Sequence, residues 1–170
     1  MAVLRITKHG ETVLKKPSEP LDFEAWRDKL PQLLKDMWAT MYSVRGVGLA
    51  APQIGLNIRV SVIDVKPEGK SQKLVLINPE ILALEGSLHD EEGCLSVPGV
   101  YAKVTRASRA TIRALDENGR PYEMTGEGLL ARAFQHEIDH LDGKLFVDRL
   151  DFVHKLKVLS VIKDVKPTWS

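Results

Sequence analysis

The sequence predicts an α+β fold on three observations: an amphipathic helical period ahead of residue 46, short β-branched segments through the middle, and helical patterning again from residue 127. Antiparallel strands are expected to pack around a central helix carrying His136 and His140, with an N-terminal and a C-terminal helix beside them. A chain of 170 residues can bury most of one core, so residues 1–170 are expected to form a single domain.

The first element is helical. In "DFEAWRDKLPQLLKDMWATMYSVRG", Phe23, Trp26, Leu30, Leu33, Leu34, Met37, Met41 and Val44 recur at threes and fours, the pattern of a helix with one buried face. Pro31 restricts the regular part to a start near Leu30, and Gly46 lies just past its end. The segments 58–65, 73–78, 81–86, 109–116 and 121–126 read as strands, bounded by Gly, Pro, Asn or Asp. Asn118-Gly119 between the last two predicts a hairpin and hence antiparallel pairing. Helices are expected over 127–142 and 151–164, the second capped by Asp151.

Composition excludes several classes. With 44% apolar and 28% charged residues and a net charge of +1, the chain has no global attraction for nucleic acid or an anionic membrane. No segment reads as a leader or a membrane span, so a cytoplasmic location is expected. The one cysteine, Cys94, has no partner for an intrachain disulfide, which suits a reducing compartment and leaves the thiol free.

The segment "FQHEIDHLDG" carries the chemistry. With His136 at zero on a helical projection, His140 falls at about 40° and Glu137 at about 100°, while Arg132, Gln135, Asp139 and Asp142 gather on the opposite side. Leu129 and small Ala133 share the imidazoles' arc, which is expected to face the protein interior. Two buried imidazoles without partners would be costly, and one turn of separation lets both reach one cation. The glutamate after the first histidine then addresses a water on that cation, an arrangement specific for metal-assisted hydrolysis.

A catalytic site of this kind takes three protein ligands. Phe146 stands where metzincins place a third histidine, and no glutamate occurs after Glu137 for a thermolysin-like set. Asp148, Asp151, His154, His9 and His89 remain open, and Cys94 in "DEEGCLSVPG" is the favoured third ligand. Gly93 and Pro98-Gly99 mark close turns able to present it. One thiolate with two imidazoles suits zinc or ferrous iron.

"GVGLAAPQIG" imitates a dinucleotide fingerprint, but a helix precedes it and Pro52 interrupts the helix that such a fingerprint should open. It reads instead as a small-residue stretch that lets a substrate backbone come close, with Gln53 beside it, whose amide can donate to a developing oxyanion.

The ordered trio "GVGLAAPQIG", "EGCLSVPG" and "QHEIDHLDGKLFVDR", spanning 46–149, resembles the peptide deformylase family, in the form of its Gram-negative and organellar members. The resemblance implies removal of the formyl group from N-formylmethionyl nascent peptides, with Cys94, His136 and His140 as metal ligands and Glu137 as general acid and base toward the metal-bound water. It further implies that Gln53 and the Leu95 N–H hold the oxyanion, and that Val47 and Gly48 pair with the substrate backbone. Ferrous iron is the implied cellular metal, with zinc or nickel as substitutes and sensitivity to oxygen. One departure stands out: Tyr101 occupies a position where many relatives carry arginine, with Lys103 and Arg106 further along. The C-terminal helix, with Lys155, Lys157, Lys163 and Lys166 near Phe152, Leu156 and Leu159, is a solvated lysine face or, as in some bacterial relatives, a ribosome contact. Two alternatives remain: another amide hydrolase built on the same ion, and a metal-stapled module without catalysis. The module would need a fourth protein ligand that the sequence does not offer.

Overall fold

The structure, a computed structural model, describes residues 1–169. Helices α1 (Phe23–Trp26) and α2 (Leu30–Ser43) lead to strands β1 (Gly48–Ala50) and β2 (Val60–Ile63). Strands β3 (Leu74–Glu85), β4 (Leu88–Cys94), β5 (Val97–Arg106), β6 (Arg109–Leu115) and β7 (Pro121–Glu127) come next, then α3 (Leu129–Leu141) and α4 (Phe152–Val165). One antiparallel sheet runs β1-β2-β3-β6-β7 and a second is the hairpin β4-β5. The central helix α3 packs against β1, β2, β6 and β7. This is the expected α+β arrangement.

The first helical period divides where proline requires. Phe23–Trp26 forms its own turn, capped by Asp22, and α2 begins at Leu30 with Pro31 in the first turn, where a missing N–H costs nothing. Met37 and Met41 are fully buried, so the Met and Trp stripe is core against β1 and β2. Asp151 caps α4 by accepting from the His154 N–H at 2.9 Å. Helix α3 starts at Leu129, two residues after the expected point, because Gly126 and Glu127 belong to β7 and Gly128 turns with φ +59°.

Other expectations are corrected. The segments 73–78 and 81–86 are one strand. Pro79 does not break β3, because its missing N–H falls in the register shift between Ile77 and Glu80, where β3 passes from pairing with β2 to pairing with β6. Asn78 takes φ +50° there, its amide accepting from the Leu21 N–H at 2.7 Å and donating to the Leu21 carbonyl at 3.0 Å. Strands β4 and β5 lie outside the expected set, as does β1 inside the glycine-rich stretch. Acidic "HDEE" hides the period of β4, whose one buried acid, Glu92, is held by ion pairs.

Helix α3 is also buried on the side where its polar residues gather. Arg132, Gln135 and Asp139 are 6%, 7% and 4% exposed, whereas Leu129, on the expected inward arc, is 54% exposed. Each buried group is partnered, as burial demands: Arg132 donates to Glu92, Gln135 bonds both backbone groups of Ala107, and Asp139 accepts from Arg106 and Arg149. The apolar residues of α4 are divided as well. Ile162 is buried and Leu159 packs against β5 and the Phe146–Arg149 turn, while Phe152 and Leu156 face outward.

Candidate active site

Helical spacing places His136 and His140 one turn apart on α3, with their rings edge to face and centroids 4.8 Å apart. Cys94 arrives from the end of β4, where a register shift after Gly93 tightens the hairpin and pairs Cys94 with Val97 across Leu95 and Ser96. His140 Nε2 lies 3.2 Å from His136 Nε2 and 3.3 Å from Cys94 Sγ. Among the described residues these three form a group whose ligand atoms all lie within 4.8 Å of one another. Nitrogens about 2.0–2.1 Å from a tetrahedral ion stand roughly 3.3 Å apart, so the donor set fits one divalent cation. His9, His89, Asp148, Asp151 and His154 stay outside this group. His89 meets Thr105, Asp148 pairs with Lys155, and Asp151 with His154.

The tautomer of His136 is set from behind. Its Nδ1 lies 2.7 Å from Glu92 Oε2, so donation to that carboxylate leaves Nε2 free to ligate. Glu92 also accepts from Arg106 at 3.1 and 2.7 Å and from Arg132 at 2.6 Å. Burial works against its ionisation, yet His136 and Arg106 hold its pKa far below the usual carboxylate range. Arg106 continues to Asp139 at 2.6 Å, and Arg149 closes the far end. Burial also presses the His140 pKa well below its ordinary value, with His136 adding to the effect. His136 moves the other way: burial opposes its charge, but Cys94 and Glu92 outweigh it.

Glu137 is 3% exposed, and its Oε2 has no hydrogen-bond partner among the described residues. Burial pushes its carboxyl up to about 7. The side chain occupies space left by Gly48, where a Cβ would fall 2.8 Å from Glu137 Oε1. Gln53 is 1% exposed in the 3-10 turn Ala51–Ile54. Its Oε1 accepts from the Ala50 N–H at 2.9 Å, which orients Nε2 toward Ser96 Oγ at 3.1 Å and Cys94 Sγ at 3.6 Å. A cavity of about 650 Å³ is lined by Val47, Gly48, Gln53, Cys94, Leu95, His136 and Glu137, with His140 buried behind it. Val47 and Gly48 lie at β1, the edge strand of the large sheet, so a backbone edge borders the cavity.

Residues 3–156 match the family model for polypeptide deformylase. The chain belongs to the peptide deformylase family. It is 46% identical to the peptide deformylase of Acidobacterium capsulatum, over 98% of this chain and 97% of that one. It superposes on the peptide deformylase structure from Legionella pneumophila with a TM-score of 0.90 at 46% identity, covering 98% and 97% of the two chains. The Synechococcus elongatus deformylase solved with actinonin gives a TM-score of 0.86 at 42% identity, covering 95% and 88%. As a deformylase family member the chain is a metallohydrolase, of a family that uses a single metal and removes the formyl group from nascent peptides.

Two positions bear on how a deformylase of this sequence meets its peptide. Tyr101 is 63% exposed and lines the cavity, paired with Gly93 across the β4-β5 hairpin. Arg106, at the end of "YAKVTR", is committed instead to Glu92 and Asp139 at 4% exposure, so it does not substitute for the missing arginine. Glu92 and Ser96, which orient His136 and Gln53, escape sequence reasoning. Their one signal is adjacency to Cys94.

Proposed function

We propose that residues 1–170 form one catalytic unit that hydrolyses the formamide of N-formylmethionyl nascent peptides, with Cys94, His136 and His140 holding the metal. The convergence of those three donor groups beside Glu137 carries this reading. When bound there, a divalent ion supplies positive charge that lowers the pKa of the attacking water and opposes charge on the substrate oxygen. A thiolate with two imidazoles suits ferrous iron in the cell, with zinc or nickel as substitutes.

The chain's own groups divide the remaining work. Glu137 takes a proton from water as its oxygen bonds to the formyl carbon, and returns a proton to the amine nitrogen as the C–N bond breaks. Formate and a free N-terminus result. Gln53 Nε2 and the Leu95 N–H donate to the oxyanion, and the edge at Val47 and Gly48 aligns the peptide as an added strand. A peptide seated in the cavity would displace water from these groups and so strengthen each of them.

The test is anaerobic formate release from formyl-Met-Ala-Ser. The native chain is expected to release formate and to leave unformylated peptides intact, and Glu137→Ala to keep its metal while losing nearly all turnover. An active Glu137→Ala, or cleavage of unformylated peptide, contradicts the reading. We further propose a cytoplasmic location, and ribosome contact through α4, supported by outward Phe152 and Leu156 beside exposed Lys157 and Lys163. No helix among the described residues is long and apolar enough to cross a membrane. Unchanged ribosome cosedimentation at low salt after deletion beyond residue 150 would remove the ribosome contact.

A further inference from the structure

The segment ahead of α1 touches both rims of the cavity at once. Thr7 is 4% exposed, and its N–H donates to the Gln53 carbonyl at 2.7 Å. Its hydroxyl donates to the Pro52 carbonyl at 3.0 Å. Two residues on, the His9 N–H donates to the Ser96 carbonyl at 2.8 Å, on the hairpin that presents Cys94. Gln53 closes the ring from the other side through Nε2 and Ser96 Oγ at 3.1 Å. Residues 7 to 9 therefore strap the Gln53 turn to the Cys94 hairpin, and neighbouring Ile6 lines the cavity itself.

That strap acts on a weak element. A single 3-10 turn has poor hydrogen-bond geometry and little stability of its own, and Ala51–Ile54 runs into Gly55 in the left-handed region at φ +87°. At the turn's C-terminal end the Gly55 and Leu56 N–H groups close back on it, donating to the carbonyls of Pro52 and Ala51. From outside the turn, the Thr7 N–H and hydroxyl bond the Gln53 and Pro52 carbonyls, and so help to set where the Gln53 amide stands. An oxyanion donor loses much of its value with a displacement on the order of 1 Å.

We propose that Thr7 is a positioning residue: by bonding the Pro52 and Gln53 carbonyls it fixes the Gln53 amide relative to Cys94, and so where the substrate oxygen is received. The inference rests on Gln53 acting as an oxyanion donor. Thr7→Val keeps bulk and backbone N–H while removing the hydroxyl. It is expected to lower kcat about fivefold, the equivalent of one ordinary hydrogen bond, with KM and metal per chain unchanged. Thr7→Ser should restore the rate, and Thr7→Ala gives the same reading should the valine variant fold poorly.

The decisive comparison is made in a Gln53→Ala background, where Thr7→Val should cost nothing further, since the group it places is gone. Native kcat in Thr7→Val and Thr7→Ala overturns the proposal. So does a loss that tracks metal content and is not restored by serine, or one that persists undiminished in Gln53→Ala; each leaves the Gln53 role standing. Full activity in Gln53→Ala alone overturns the oxyanion role, and the Thr7 proposal with it.

Discussion

Gly48 leaves open the volume into which the Glu137 carboxyl fits: a Cβ on residue 48 would lie 2.8 Å from Oε1 and 2.9 Å from the carboxyl carbon. Those atoms are the end of the buried Glu137 side chain, so a Cβ at residue 48 displaces the carboxyl itself. Gly48→Ala is therefore expected to lower kcat on the order of a hundredfold, the usual cost of a misplacement near 1 Å, while metal content stays native. Formate release and elemental analysis of one sample decide it.

Glu92 should govern metal retention without touching the metal. It orients His136 and neutralises Arg106 and Arg132 at 5% side-chain exposure. Glu92→Gln is expected to weaken metal affinity roughly 10–100-fold, as measured by competition with a chelator. It should also cost about 3–5 kcal/mol in urea unfolding, because two buried guanidinium groups lose a counter-charge.

Acid stability should depend on Asp64, far from the metal ligands in sequence. Burial opposes its ionisation, but Ser71, Tyr42 and the backbone N–H groups of Gln72 and Lys66 bring its pKa to about 2. A carboxyl lowered in the folded state contributes its stability fully above its unfolded value near 3.9 and loses it as pH falls through the folded value. The stability advantage of the native chain over Asp64→Asn should thus narrow between about pH 4 and pH 2. A gap constant across that window would contradict the assignment.

Much of this architecture is legible because apolar periodicity and glycine punctuation speak directly about burial. The α2 stripe, the Asn118-Gly119 turn and the Asp151 cap all come from local rules, and the His136 and His140 pair from helical spacing alone. The hidden features depend on partners distant in sequence. Arg132 and Asp139 look like a solvated face until Glu92 and Arg106 arrive from β4 and β5 to pair with them. The same ion pairs disguise β4, whose charged residues mask a buried position. Pro79 suggests two strands until Asn78 is seen clamped to Leu21.

X-ray absorption at the metal edge of anaerobically prepared protein tests the central assignment most directly. One sulfur near 2.3 Å, two nitrogens near 2.0–2.1 Å and one exchangeable light atom are expected, with the sulfur lost in Cys94→Ser. A first shell without sulfur, or one filled by four protein ligands, would contradict it.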